Sequence, residues 1–304
     1  MPPSALLLLF ISALLHTSWN LLLKGAPEKY IASWWTTVFG GLLVIPLLFV
    51  TGLPPASVWW LLLLSALVEA AYFISLSYAF QDNDFSLVYP IARGSAPAFL
   101  LLWAFVFLGE RFTAGGLVGL ALIVAGLLVI GSPALHRTQC GASVGGLRGG
   151  RARKTRLAGE APARSAGVLM ALLTAVFISI YTAIDGTAVK QVDPLKYALA
   201  LFALIPLLVT PLVIRRYGWT RLSAEVKAYW PRMAGMALLG VVAYGLALQA
   251  YHIAPVGYAG AIREMSVVMG AFAGWRLLGE DFGPLRVAGA VLVFGGIVTI
   301  AVWG

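Results

Sequence analysis

Residues 89–112 read Tyr-Pro-Ile-Ala-Arg-Gly-Ser-Ala-Pro-Ala-Phe-Leu-Leu-Leu-Trp-Ala-Phe-Val-Phe-Leu-Gly-Glu-Arg-Phe, an apolar run interrupted by Arg93 and closed by Leu108-Gly109-Glu110. The closing triplet recurs as Leu278-Gly279-Glu280, with Phe112 matched by Phe282 two positions on. At the same offset Arg93 meets Arg263, Gly119 meets Gly289 and Gly126 meets Gly296. Earlier in each half, Ile45-Pro46-Leu47-Leu48 matches Ile205-Pro206-Leu207-Leu208, and Asn20 matches Asp185. One such match is cheap in a leucine-rich chain. A series in the same order is an internal repeat.

Around these landmarks the chain divides into apolar runs of the length a bilayer requires, about 20 residues each. They fall near 3–23, 31–50, 58–80, 86–108 and 112–132, then 166–188, 195–214, 232–252, 256–278 and 283–303. Five is odd, so the second copy enters the membrane from the opposite side. The expected fold is an all-α membrane protein of ten transmembrane helices arranged as two inverted five-helix repeats. Residues 1–132 form the first repeat, 133–165 a basic Gly/Arg-rich linker, and 166–304 the second repeat. The linker's composition predicts a flexible segment.

Composition agrees. Only 11% of the 304 residues are charged and 61% are hydrophobic, against about 25% charged in a soluble domain. Too few polar side chains exist to coat a globule, and lipid removes the need. The net charge of +9 raises the question of nucleic acid. Seven of the basic residues lie between Arg137 and Arg164 and five between Arg215 and Arg232. Both clusters separate apolar runs, and the first lacks the interleaved aromatics of a single-strand surface, so headgroup-side loops are the better reading. One cysteine, Cys140, excludes an internal disulfide, and three scattered histidines do not build a metal site. The segment after Met-Pro-Pro-Ser lacks a basic n-region and is expected to stay as helix one.

Several of these stretches resemble the EamA-type members of the drug/metabolite transporter (DMT) superfamily. They are His16-Thr17-Ser18-Trp19-Asn20 with Lys24, and Tyr89-Pro90 with Arg93, Pro97 and Leu108-Gly109-Glu110. In the second half they are Ala254-Pro255, Arg263-Glu264 and Leu278-Gly279-Glu280. The resemblance spans the chain outside 133–165. It implies ten helices, a central cavity and transport of small metabolites.

Ionisable residues inside the spans each cost roughly 2.5–3.5 kcal/mol at a helix centre, so they carry the functional information. They are Glu69, Arg93, Asp185, Arg263 and Glu264, with His16 and His252 as weaker cases. With Asn20 and Tyr89 added, Asn20, Glu69, Tyr89, Arg93, Asp185, Arg263 and Glu264 are the candidate substrate-binding residues. Arginine suits bidentate contact with a carboxylate; the alternative is that these groups merely bond helix to helix. Spacing suggests Asn20 and the deeper Glu69 for Arg93, and Asp185 with Glu264 for Arg263. Glu69 has glycine near its repeat counterpart, and Glu264 answers to Gly94. Either acid is therefore asymmetric, as a proton carrier would be. The glutamates of the Leu-Gly-Glu triplets are expected to cap the next helix. Among aromatics, Trp19, Trp34, Trp35, Tyr72, Tyr181, Tyr244 and Tyr251 are candidates for cavity walls or interfacial anchors.

Enzymatic signatures fail one by one. Arg93-Gly94-Ser95-Ala96-Pro97 is not a nucleophile elbow, Asp185-Gly186 has no second aspartate, and Lys154-Thr155 follows arginine where a phosphate loop needs glycine. The reading is a multi-pass permease of the plasma or inner membrane that moves an amino acid or related organic anion, with efflux ahead of uptake. No cofactor is expected. Its partners are a small-molecule substrate and the lipid bilayer, with no nucleic acid, and a homodimer is the oligomer to test. The loops after helices one, three, five, seven and nine together hold Lys24, Lys29 and both basic clusters, against Arg111, Lys190 and Lys196 on the other side, which by the positive-inside rule places 133–165 in the cytoplasm and both termini outside. Family members are usually drawn with both termini inside. An impermeant maleimide applied to sealed cells decides: Cys140 should be protected until the membrane is opened, and labelling from outside would reverse the orientation.

Overall fold

The computed structural model describes the backbone outside residues 80–84, 141–149 and 279–282. Side chains are described outside 77–91, 131–168, 274 and 277–282. The described residues are helical nearly throughout, with no strand among them. The first repeat holds α1 (Pro3–Lys24), α2 (Lys29–Thr51), α3 (Trp59–Ala79), α4 (Phe85–Phe107) and α5 (Ala114–Cys140). The second holds α6 (Gly150–Val189), α7 (Pro194–Tyr217), α8 (Trp219–Ile253), α9 (Val256–Arg263), α10 (Met265–Leu278) and α11 (Pro284–Trp303). Among the described residues seven helices are long and apolar enough to cross a membrane, and Ala92–Phe107 and Ala114–Ile130 are shorter apolar helices.

Local chemistry sets the ends. Pro194 opens α7 while Asp193 Oδ1 accepts from Leu195 N at 2.8 Å and Lys196 N at 3.0 Å, satisfying amides that have no partner inside the helix. After α4, Gly109 adopts φ +65° and Glu110 N returns to Ala104 O at 3.1 Å. That left-handed closure is why the triplet carries glycine in its middle.

Three expectations are corrected. Residues 133–140 and 150–165 extend α5 and α6 as helix, where a flexible linker was expected. Alanine, arginine, lysine and glutamate favour helix, and adding to an existing helix needs no new nucleus. The basic stretch before 232 also belongs to a helix: α8 starts at Trp219 and bends at Tyr229 (φ −132°, ψ 16°), two residues before Pro231. The run 256–278 is broken at Glu264 into α9 and α10.

The packing obeys the repeat. α1 packs on α8, and its counterpart α6 packs on α3. α4 packs on α6, while α9 and α10 together, its counterpart, pack on α1. α2 with α7, and α5 with α11, pair directly with their own counterparts. The α5–α11 contact is antiparallel, because Gly119 lies against the Gly296 carbonyl and Gly126 against the Gly289 carbonyl. Related helices running antiparallel are the signature of inversion. Hydroxyls and indoles supply the polar links: Ser12 Oγ to Ala243 O at 2.7 Å, Trp34 Nε1 to Thr210 Oγ1 at 3.0 Å, and Trp103 Nε1 to Ser179 Oγ at 2.9 Å. Outward faces keep apolar residues such as Phe49 and Phe294 exposed, as lipid-facing surfaces do.

A Cβ at Gly289 would stand 2.6 Å from the Gly126 carbonyl oxygen, whereas one at Gly245 would meet nothing within 4 Å. Gly289→Val should therefore lower stability by about 1–3 kcal/mol. Gly245→Ala should be neutral or raise it by about 0.5–1 kcal/mol. Thermal unfolding of the purified protein in detergent reads both.

Candidate functional site

The break after α9 turns two consecutive ionisable residues into the centre of the bundle. Every residue of α9 is buried, and Arg263 and Glu264 remain 7% and 4% exposed. Such an interruption is tolerated in a membrane only where protein encloses it. Glu264 N still finds Ala261 O at 3.2 Å, and Val267 N finds Glu264 O at 2.9 Å.

Glu264 crosses to the first repeat. Its Oε1 accepts from Arg93 Nη1 at 3.0 Å, joining α4 to the α9–α10 break. Arg93 Nη2 also meets His16 Nε2 on α1. Trp19 Nε1 approaches the other ring nitrogen, His16 Nδ1, at 3.2 Å. Arg93 and Trp19 are donors only, and an imidazole offers at most one acceptor nitrogen, so His16 can serve one of them at a time. The charge-assisted contact with Arg93 is the stronger.

Asp185 on α6 has no exposure at all. Tyr197 on α7 donates to its Oδ1 at 2.7 Å, and Tyr244 on α8 donates to Oδ2. The Arg263 guanidinium carbon lies 4.9 Å from the centroid of that Tyr244 ring. Arg263 has no carboxylate within ion-pair distance among the described residues, and its Nε is buried without a hydrogen-bond partner. Glu69 on α3 is half-buried and feels the charges of Asp185 and Arg263. Tyr72 and Tyr181 meet edge to face at 6.0 Å beside this group.

The pairing suggested by spacing is thus rearranged. Arg93, not Arg263, holds Glu264, and Asp185 takes two phenols rather than an arginine. Asn20 turns back to its own helix, donating to His16 O at 2.7 Å. Tyr89 lies outside the residues with described side chains. Trp34 and Trp35 bond to α7 and α8 and serve packing. Sequence reasoning passed over Tyr197, because nothing in a run of apolar residues near a helix start marks a phenol that reaches an aspartate twelve positions earlier. Among the described residues no cluster of three or more His, Cys, Asp or Glu is placed to hold a metal.

Glu110 caps a helix, but not the next one. Its carboxylate accepts from Val256 N at 2.5 Å and Gly257 N at 3.0 Å, the opening amides of α9 in the other repeat. Around it, Lys190 Nζ donates to Ala254 O at 2.9 Å and His252 O at 3.1 Å, and Thr113 N donates to the Tyr258 hydroxyl at 3.0 Å. Partial burial holds the Lys190 ammonium below its ordinary range, and Glu110 works against that shift. Glu280, the other triplet glutamate, lies outside the described residues. On the opposite face Arg221 pairs with Glu28, and Arg232 Nη1 reaches Gly25 O at 2.5 Å.

An all-helical membrane bundle of two repeats, with its buried charges gathered at a broken helix, is the class these features define. The chain belongs to the EamA-like transporter family, whose profile matches residues 3–132 and 165–302. No curated protein matches it. A crystal structure of a protein 18% identical superposes with a TM-score of 0.72 over 99% of this chain and 98% of the other. That likeness shows the fold.

The buried pair and the uncovered arginine should respond differently to neutralisation. Arg93→Gln strands Glu264 in a low dielectric and should cost about 3–5 kcal/mol. Arg263→Gln gives up a cation–π contact worth less than about 2 kcal/mol. Unfolding in detergent ranks them, and equal or inverted losses would contradict the pairing.

Proposed function

We propose that the chain is a secondary transporter with ten membrane crossings, α9 and α10 together forming the ninth. It exports an amino acid or related organic anion across the plasma or inner membrane by alternating access, driven by protons or by exchange. The observation that carries this reading is Arg263. A guanidinium buried within the membrane, with no carboxylate at ion-pair distance among the described residues, is costly for the fold alone. It is suited to an anionic group that arrives and leaves. The two repeats lend support, since halves related by an axis in the membrane plane can exchange conformations and turn a cavity from one side to the other.

Glu69 is the proposed proton carrier. A permanent Glu69–Arg93 pair would keep it ionised, but Arg93 Nη1 is engaged by Glu264 instead. Glu69 sits mid-span beside Asp185 and Arg263, so the charge state of its carboxyl can answer to what occupies the arginine.

Purified protein in liposomes tests both parts. Labelled amino acids and organic anions should show counterflow, and an imposed pH gradient should drive accumulation. Glu69→Gln should abolish the pH-driven accumulation and keep exchange, which moves no net proton. Accumulation by the variant equal to the parent's would pass the role to Asp185; absence of any counterflow by the parent would remove the transporter reading.

A further inference from the structure

α8 is 35 residues long, more than one crossing needs, and its bend at Tyr229 sets 219–228 apart as an arm ahead of the spanning part. The arm lies where α7 ends at Tyr217, α1 ends at Lys24 and α2 begins at Lys29. Three contacts hold it there. Arg221 pairs with Glu28, the residue before α2. Trp35 Nε1, on α2, donates to Leu222 O at 2.9 Å, and past the bend Arg232 Nη1 donates to Gly25 O at 2.5 Å. Trp35 is six residues into its helix, about 9 Å at a rise of 1.5 Å per residue. A helix held between Glu28 and Trp35 lies at the depth of an interfacial one, whose apolar face enters the headgroup boundary by about 5–10 Å.

Its two sides differ as an interfacial helix requires. Leu222 is fully buried, and Val226 one turn on packs with Ala26, Ala32 and Met233. Trp219 and Trp230 stay 56% exposed, and Lys227 is exposed with them. Between Arg215 and Arg232 the chain carries five basic residues against one acid, Glu225. Arg221 is neutralised by Glu28, and Arg232 is turned to the Gly25 carbonyl. Arg215 and Lys227 are exposed and have no carboxylate at ion-pair distance among the described residues. Cations at a headgroup surface, beside indoles that favour that layer, match the phosphate of a lipid with net negative charge. A zwitterionic lipid brings its own cation next to the phosphate and gains less.

We propose that the end of α7 and the arm of α8 form a binding site for anionic phospholipid. The phosphate groups bind Arg215 and Lys227, and Trp219 and Trp230 lie among the glycerol esters. Because Arg221 and Arg232 bond to the α1–α2 connection, a lipid on the arm also steadies the join between the two repeats at this face. The site needs a bilayer and not transport, so it stands whether or not the transporter reading does.

Thermal unfolding of the full chain in detergent, titrated with phosphatidylglycerol or phosphatidylcholine, tests it. Phosphatidylglycerol should raise the melting temperature at lower concentration than phosphatidylcholine, and added salt should narrow the gap. Each basic residue at such a surface contributes about fivefold in affinity, so the double variant Arg215→Gln, Lys227→Gln should bind phosphatidylglycerol about thirtyfold more weakly. Its lipid-free melting temperature and its response to phosphatidylcholine should match the parent's, because both side chains are exposed. Lys196→Gln, at the opposite end of α7, should leave the preference intact. Equal saturation of the parent by the two lipids overturns the site. So does a preference that survives the double variant, or one that falls as far with Lys196→Gln. Saturation by poly-glutamate without any response to phosphatidylglycerol would make the arm a protein-docking face and overturns the lipid site as well.

Discussion

Within a bilayer a helix cannot be interrupted in contact with lipid, since the freed amides and carbonyls would find no partner. The break at Glu264 therefore dictates much of what surrounds it. α9 must be enclosed on all sides, which its wholly buried residues achieve. Its opening amides need an acceptor, and Glu110 reaches over from the first repeat to supply one. Its closing residues deliver opposite charges side by side at the bundle centre, and Arg93 and Tyr244 are placed to receive them.

The buried polar groups then sort into two kinds. Arg93, Glu264 Oε1 and His16 form a linked set across α4, the break and α1. Asp185, Tyr197 and Tyr244 form another across α6, α7 and α8. These sets are satisfied and join helices from both repeats or within the second. Arg263 lies between them, stacked on Tyr244 but bonded to neither carboxylate. Replacement of a satisfied member strips a hydrogen-bonded partner, while Arg263 acts on Asp185 and Glu69 through its charge alone. The proposed ligand role of Arg263 rests on that difference more than on its position along the chain.

Much of the architecture was legible in the residues. Apolar runs of membrane length and the ordered recurrence of Arg93/Arg263, Gly119/Gly289 and Leu-Gly-Glu carry the two-repeat helical fold. Glu69, Arg93, Asp185, Arg263 and Glu264 announce themselves by the cost of charge in lipid. What spacing could not supply was partnership. Arg93 and Glu264 lie 171 positions apart, in different repeats, and only the docking of α4 on α9 makes them a pair. The break itself was hidden, because Arg263-Glu264 sits between helix-favouring neighbours and carries no proline. The helical ends at 133–140 and 150–165 were missed because composition was read as a linker without weighing helix propensity.

The glycines of α5 and α11 have a consequence for how such a chain can diverge. Gly119 and Gly296 stand on each other's backbone, and so do Gly126 and Gly289. At other positions the halves differ, one carrying Glu264 where the other has Gly94. At the glycine contacts neither copy can change first, because a methyl group added to one occupies the space the other already fills. Two duplicated halves that inherited this seam remain tied there to their common ancestor, while the residues lining the interior are at liberty to acquire new substrates.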